Sequence, residues 1–226
     1  MIESNNPAFF YSAKSIREAA HVQHATFIKM LGGYNSVEGK KKKLDSGDFL
    51  ATLDPQNLAQ QLSLHNYNIF KNIHPMEFLN EIWKKDNVAS ASFSHLVKRF
   101  DTESYWVATE LCMGNDSKTL KTRVKVLAKF ISVAAECIQM NNFFSAFSII
   151  SGLNFTSTQR LKKTWEALPD KSKKEWESVE KLSDPSKNMK NYRDKLAVSV
   201  SPMVPFLRTF FFVICSYLFE GFDVHQ

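Results

Sequence analysis

Between Asn141 and Trp165 the chain reads NNFFSAFSIISGLNFTSTQRLKKTW. Its first half, Phe143–Leu153, is apolar almost all round and seeded with small residues, the pattern of a helix buried on every side. A polar turn follows Gly152, and a basic, helix-like start follows at Arg160. This predicts a central buried helix that delivers a loop to the surface. A second, amphipathic helix over Arg160–Leu168 leaves that loop, and Pro169 and Asp170 end it.

The flanking segments read as helical scaffold. From Phe93 to Leu111, positions 93, 97, 100, 104, 107 and 111 form one stripe in which only Ser104 is polar. Leu120, Val124, Leu127, Ile131, Ala134 and Ile138 form a second stripe, with Lys118, Lys121, Lys125 and Lys129 on the outside. Spacings of three and four mark helices with one buried face. Joined by the short Gly114–Ser117 turn, the two helices are expected to pack antiparallel. Upstream, Asp54-Pro55 is a helix start, because Asp caps well and Pro fits the first helical position. His74-Pro75-Met76-Glu77 repeats the signal, and Phe78, Leu79, Ile82 and Trp83 then face inward. Downstream come a charged surface helix at Lys171–Leu182, a break at Asp184-Pro185 and a helix at Asn188–Ser199. Ser201-Pro202-Met203-Val204-Pro205 is an extended lead-in to an apolar segment reaching Phe219. Gly and Pro number 7 each and strand-like alternation is scarce, so the fold class is all-α, a multi-helix bundle with orthogonal and antiparallel packing.

Composition narrows the function. The 226 residues suffice for one good-sized domain plus an arm. Residues 1–53 read as that arm, with a helix over Ser12–Leu31, and residues 54–226 as the domain. Net charge is +6, and the Lys40–Lys43 run supplies four of those charges. That run reads as a solvated linker; a nuclear signal or an acidic-lipid contact is the other reading. No basic stripe with interleaved aromatics points to nucleic acid. The N-terminus lacks the basic and apolar regions of a signal peptide. Arg208 interrupts the most apolar stretch, Phe206–Phe219, which is too short to span a bilayer. The three cysteines lie far apart and suit a reducing cytoplasm.

Covalent chemistry has no visible seat. The six histidines are scattered, and the one close pair, His21/His24, reads as solvated, so no metal is expected. No nucleophile elbow or phosphate-binding glycine loop occurs, so no cofactor is expected. Glu103, Glu110 and Glu136 lie within predicted helices and read as surface charges.

The motifs go further. Leu58–Leu79 (LAQQLSLHNYNIFKNIHPMEFL), Phe100–Leu111 (FDTESYWVATEL), Arg123 with Phe130–Ala134, Asn141–Trp165, Asn191–Leu196 (NYRDKL) and Pro202–Leu207 (PMVPFL) occur in the order of the blocks of a known family. Over about residues 54–207 the chain resembles the Cdc25-homology catalytic domain of Ras-family guanine-nucleotide exchange factors. The resemblance implies an all-α domain that binds a nucleotide-free small GTPase of Ras, Rap or Ral type, in signalling at the cytosolic face of a membrane. It implies no covalent step. In the family a polar pocket grips switch II of the GTPase, while a projecting helical hairpin opens switch I. An apolar hairpin residue blocks the Mg²⁺ position, and an acidic one takes the place of the α-phosphate.

Carried over by position, Asn154 corresponds to the loop asparagine that contacts the GTPase, and Phe147 to an apolar residue contacting switch II. Lys98 and Asp101 fall on the rim beside the tryptophan block. Each has a plainer reading: Phe147 as core, Lys98 and Asp101 as solvated charges, Asn154 as a helix C-cap. After Leu207 the sequence departs from the family pattern, and the hairpin's first helix reads as divergent and the domain as incomplete. The alternative function is therefore a GTPase-binding module without exchange activity.

Overall fold

The computed structural model describes residues 53–74, 77, 91–113 and 119–206. Several expectations lie outside these residues: the N-terminal arm with its lysine run and His21/His24, the face from Phe78 to Trp83, the Gly114–Ser117 turn and the segment after Phe206. Among the described residues the elements are α1 (Pro55–Phe70), α2 (Ala91–Met113), α3 (Leu120–Gln139), α4 (Phe143–Leu153), α5 (Thr156–Gln159), α6 (Lys162–Glu166), α7 (Asp170–Leu182) and α8 (Ser186–Ala197). Among them no strand occurs; an isolated parallel bridge joins Asn142 and Val204.

The helix starts follow their chemistry. Asp54 caps α1, its carboxylate accepting from the Asn57 amide at 3.1 Å, with Pro55 at the first helical position. Thr119 caps α3 in the same way. Glu77 does more than begin a segment. Its buried carboxylate accepts from the His74 amide at 3.1 Å and the Phe93 amide at 2.9 Å, which ties residue 74 to the first turn of α2.

α4 is the centre. All its side chains but Ser151 are buried, as its unbroken apolar pattern predicts. The asparagine pair before it makes the turn. Asn141 takes a left-handed conformation (φ 57°), which Asn tolerates better than most residues. Its carbonyl accepts from the Val204 amide at 3.0 Å, and its side chain donates to the Val200 carbonyl at 3.0 Å. Asn142 caps α4 through the Ser145 amide at 3.1 Å. Segment 200–204 is thereby fastened to the start of α4.

α2 crosses α4 closely at Gly152. A Cβ there would lie 2.8 Å from Val107 Cβ and inside the contact distance of the Ser104 carbonyl oxygen. Only glycine permits this approach. α2 also meets α3, where Trp106 lies edge-on to Phe130 at 4.9 Å.

The structure corrects four expectations. Val97 and Leu120, placed on buried stripes, are each 42% exposed, because α2 and α3 turn different residues inward (Leu96 and Glu103; Val126 and Phe130). Glu103 and Glu110 are not surface charges; both are buried. The helix expected over Arg160–Leu168 is shorter: the single turn α5 ends at Gln159, α6 spans Lys162–Glu166, and Arg160 and Leu161 between them stand outside helix. There the Thr158 carbonyl accepts from the Leu161 amide and from the Trp165 indole at 3.0 Å, in place of the Lys162 amide. The helix expected at Asn188 runs right-handed only from Lys190, since Lys187, Asn188 and Met189 are left-handed.

Glu103 organises the core. Its Oε1 accepts from Asn66 Nδ2 of α1 and Arg99 Nε of α2, both at 3.0 Å, and its Oε2 from Ser148 Oγ of α4 at 2.6 Å. Asn66 Nδ2 also donates to Ser145 Oγ at 2.6 Å, and Ser104 Oγ donates to the Ser148 carbonyl at 2.9 Å.

Two substitutions test this frame by urea denaturation. Glu103→Ala should cost about 3–5 kcal/mol, as expected when one partner of a buried ion pair is removed; a loss below about 1 kcal/mol would show that the network does not hold the helices together. Gly152→Ala should cost about 1–3 kcal/mol through overpacking against α2, although alanine is the better helix former.

Candidate interaction site

Three features meet where α4 crosses α2. The first is an exposed face of α2. Lys98, Asp101 and Tyr105 are spaced by three and four residues, so they share one side of the helix, and all are exposed. Partial desolvation raises the Asp101 carboxyl above its ordinary pKa. Tyr105, 47% exposed, leans its ring on Phe155 at 5.4 Å and so joins this face to the loop after α4.

The second feature is that loop. Asn154 occupies the C-cap position of α4 and is exposed, with its Oδ1 accepting from Gln159 Nε2 at 3.1 Å. The carbonyls at the end of α4 have partners of their own. Thr158 Oγ1 lies 3.0 Å from the Gly152 oxygen and 2.7 Å from the Leu153 oxygen, and Gln159 Nε2 donates to the Leu153 oxygen at 3.0 Å. The plainer reading of Asn154 is therefore correct in position, but its side chain does not close the helix end. It stands on the surface of an internally braced loop.

The third feature is an aromatic cluster. Phe147 is 5% exposed and stacks face-on against Phe206, at 4.4 Å with 9° between planes. The Tyr192 ring lies edge-on to Phe147 at 5.1 Å and to Phe143 at 5.3 Å. Phe100 reaches Phe206 at 5.7 Å and Phe144 at 5.6 Å, linking the cluster to the α2 face. Such edge and offset pairs each add about 0.5–1.5 kcal/mol beyond area burial. The Tyr192 hydroxyl accepts from the Phe206 amide at 2.8 Å. Burial pushes its pKa from 10.0 up to about 12, against the opposing effect of that hydrogen bond.

Lys98 and Asp101 flank Phe100 in the chain on α2, and Phe100 packs against the cluster that holds Phe147. Asn154 lies two helical turns, roughly 10 Å, along α4 from Phe147, and the Tyr105–Phe155 contact joins its loop to the α2 face. Tyr192, Phe206, Phe100 and Tyr105 were assigned no role from the sequence. Tyr192 and Phe206 sit in the quoted motifs NYRDKL and PMVPFL, which was their only signal; nothing local shows that these motifs converge on Phe147. Chemically the site offers the half-buried rings of Phe100 and Phe206 as an aromatic floor, with Phe147 and Tyr192 buried as core behind them, and a carboxylate, an ammonium and a carboxamide on the surface. It suits recognition of a protein surface. Among the described residues, no three His, Cys, Asp or Glu side chains are grouped to hold a metal ion. No described helix is long and apolar enough to cross a membrane.

The model of the RasGEF domain family matches residues 57–220, continuing past the motifs ending at Leu207 into the divergent apolar stretch. The chain is 38% identical over 173 residues to the human Rap guanine nucleotide exchange factor 6, which covers 74% of this chain and 10% of that protein. It is 36% identical over 159 residues to a Caenorhabditis elegans Rap guanine nucleotide exchange factor (69% of this chain, 11% of that protein). It is 34% identical over 161 residues to the Dictyostelium discoideum Ras guanine nucleotide exchange factor W (70% and 14%). The chain therefore spans only about a tenth to a seventh of the length of these relatives.

The buried phenol gives a direct check. The difference in ultraviolet titration between wild type and Tyr192→Phe should show one phenol ionising near pH 12. Because the folded pKa lies above the ordinary value, its stabilising contribution is complete below pH 10 and falls away as pH rises toward 12. A difference centred near pH 10 would show that Tyr192 is not enclosed.

Proposed function

Because this chain belongs to the RasGEF domain family, we propose that it is a guanine-nucleotide exchange factor for a Ras-family small GTPase, with a Rap-type GTPase the first to test. The observation that carries this reading is the convergence of the α2 face, the Asn154 loop and the aromatic cluster at one crossing of a domain whose family match runs on through residue 220. The names of the relatives favour a Rap or Ras partner. That extended match also weighs against a mere binding module. A GTPase partner places the work in the cytoplasm, with membrane contact made through the partner or through segments outside this site.

The mechanism needs no bond to be made or broken. A protein that binds the empty GTPase more tightly than the loaded one must weaken nucleotide binding by the same factor. A nucleotide held at picomolar strength is held by about 16 kcal/mol. Accelerating its release by about five decades means lowering the barrier by about 7 kcal/mol. In this reading the half-buried Phe100 and Phe206 rings, with Phe147 buried behind them, meet an apolar group of the partner, Lys98 and Asp101 set its orientation through charge, and Asn154 offers hydrogen bonds at the far end. A braced site suits this task, because every side chain already ordered is one whose entropy is not lost on binding.

Release of mant-GDP from Rap, Ras and Ral, with and without the protein, tests the proposal. Acceleration of at least one is expected. Asn154→Ala should lower kcat/KM by roughly tenfold, the scale of one or two hydrogen bonds, with little change in Tm because the side chain is exposed. Binding to nucleotide-free GTPase without acceleration would replace exchange by simple binding, and unchanged kinetics in Asn154→Ala would remove that residue from the site.

A further inference from the structure

The aromatic cluster contains one polar contact that aromatic packing does not require. Tyr192 is fully buried and makes ring contacts with Phe143, Phe147 and Phe206 that a phenylalanine would also make. What phenylalanine could not do is accept the Phe206 amide hydrogen. The position of that amide matters. Segment 200–206 is tied to the start of α4 at the Val200 carbonyl, the Val204 amide and the Val204 carbonyl, which accepts from the Phe144 amide at 3.1 Å. Pro205 has no amide hydrogen to contribute. The next tie along the chain is therefore Phe206 N–H to Tyr192 Oη, which sets the residue whose ring lies flat on Phe147.

Resting on the exchange reading above, we propose that Tyr192 is a positioning residue. Its hydroxyl acts through the Phe206 amide to hold the Phe206 ring in the stack that forms the floor of the GTPase site. Without the hydroxyl the ring cluster persists, but the half-buried amide loses its acceptor and the ring its fixed register. A partner that needs the stacked floor then meets a site that must be reordered at each encounter.

The variant Tyr192→Phe isolates the hydroxyl. Its kcat/KM in mant-GDP exchange should fall by roughly five- to thirtyfold, the range of a lost hydrogen bond that leaves a buried donor, with most of the change in KM. Amide hydrogen exchange at Phe206 should quicken in the free protein, while exchange in the middle of α3 stays as in the wild type. Loss of stability alone is controlled by Val179→Ala, a buried α7 residue that is not a member of the aromatic cluster, which should lower Tm without changing KM. A Tyr192→Phe protein with wild-type KM and wild-type protection at Phe206 overturns the inference while leaving the exchange reading intact. A KM rise matched by Val179→Ala at equal loss of Tm reduces Tyr192 to a structural role. A wild type that neither binds nor accelerates any GTPase overturns the exchange reading, and with it the role assigned to the stack.

Discussion

A buried carboxylate, that of Glu103, fixes this domain. Removing a charged carboxyl from water costs several kcal/mol unless its oxygens are satisfied. Here they accept from α1, α2 and α4 together. The consequence is geometric more than energetic. α4 is apolar on every side, so burial alone would not choose how it is rotated about its axis. Ser145 and Ser148 choose it, by turning toward Asn66 and Glu103, and Gly152 confirms it by admitting α2. With rotation and depth fixed, Phe147 must enter the aromatic cluster and Asn154 must emerge at the end of the helix. The proposed interaction surface is thus specified by polar atoms that never reach it.

The two ends of α4 have separate supports. At the start, the Asn141–Asn142 turn fastens segment 200–204 beside the helix, which brings Phe206 over Phe147. At the end, Thr158 and Gln159 take up helix carbonyls that the surface would otherwise leave to water. α5 exists largely for this purpose, since it is a single turn whose buried residue is Thr158. A protein that acts by contact alone needs a surface that does not relax when its partner arrives.

Much of this was legible in the sequence. An unbroken apolar run identified α4, and the Asp-Pro pair identified the start of α1. Lys98 and Asp101 are exposed, as their plain reading as solvated helix charges expects, and Asn154 holds the C-cap position of α4. What was not legible depended on contacts between distant residues. Glu103 looks like any helix glutamate until Asn66 and Ser148 are brought to it from 37 and 45 residues away. The amphipathic pattern from Arg160 begins as helix only at Lys162, where the Leu161 amide and the Trp165 indole share the Thr158 carbonyl. Val97 fits the apolar stripe by spacing, but α2 turns its neighbour Leu96 inward and leaves Val97 42% exposed. In each case periodicity gave the helix and tertiary contact chose its face.

The start of α8 shows the same competition at a strained position. Lys187, Asn188 and Met189 have φ of 51°, 54° and 54°, a region that costs a non-glycine residue roughly 1–2 kcal/mol. Three in succession need compensation, and two sources are present. Arg193 donates from Nε to the Asn188 carbonyl at 3.0 Å and from Nη2 to the Lys187 carbonyl at 3.1 Å, gripping the turn from the following helix. Met189 packs against the aromatic cluster. A regular right-handed start would carry the chain past α4 at a different angle and leave Tyr192 without its place between Phe143 and Phe147. Strain of this kind persists only where the surroundings over-determine it. Here they do, because the aromatic stack, the Phe206 tie and the Arg193 clamp all require the same turn.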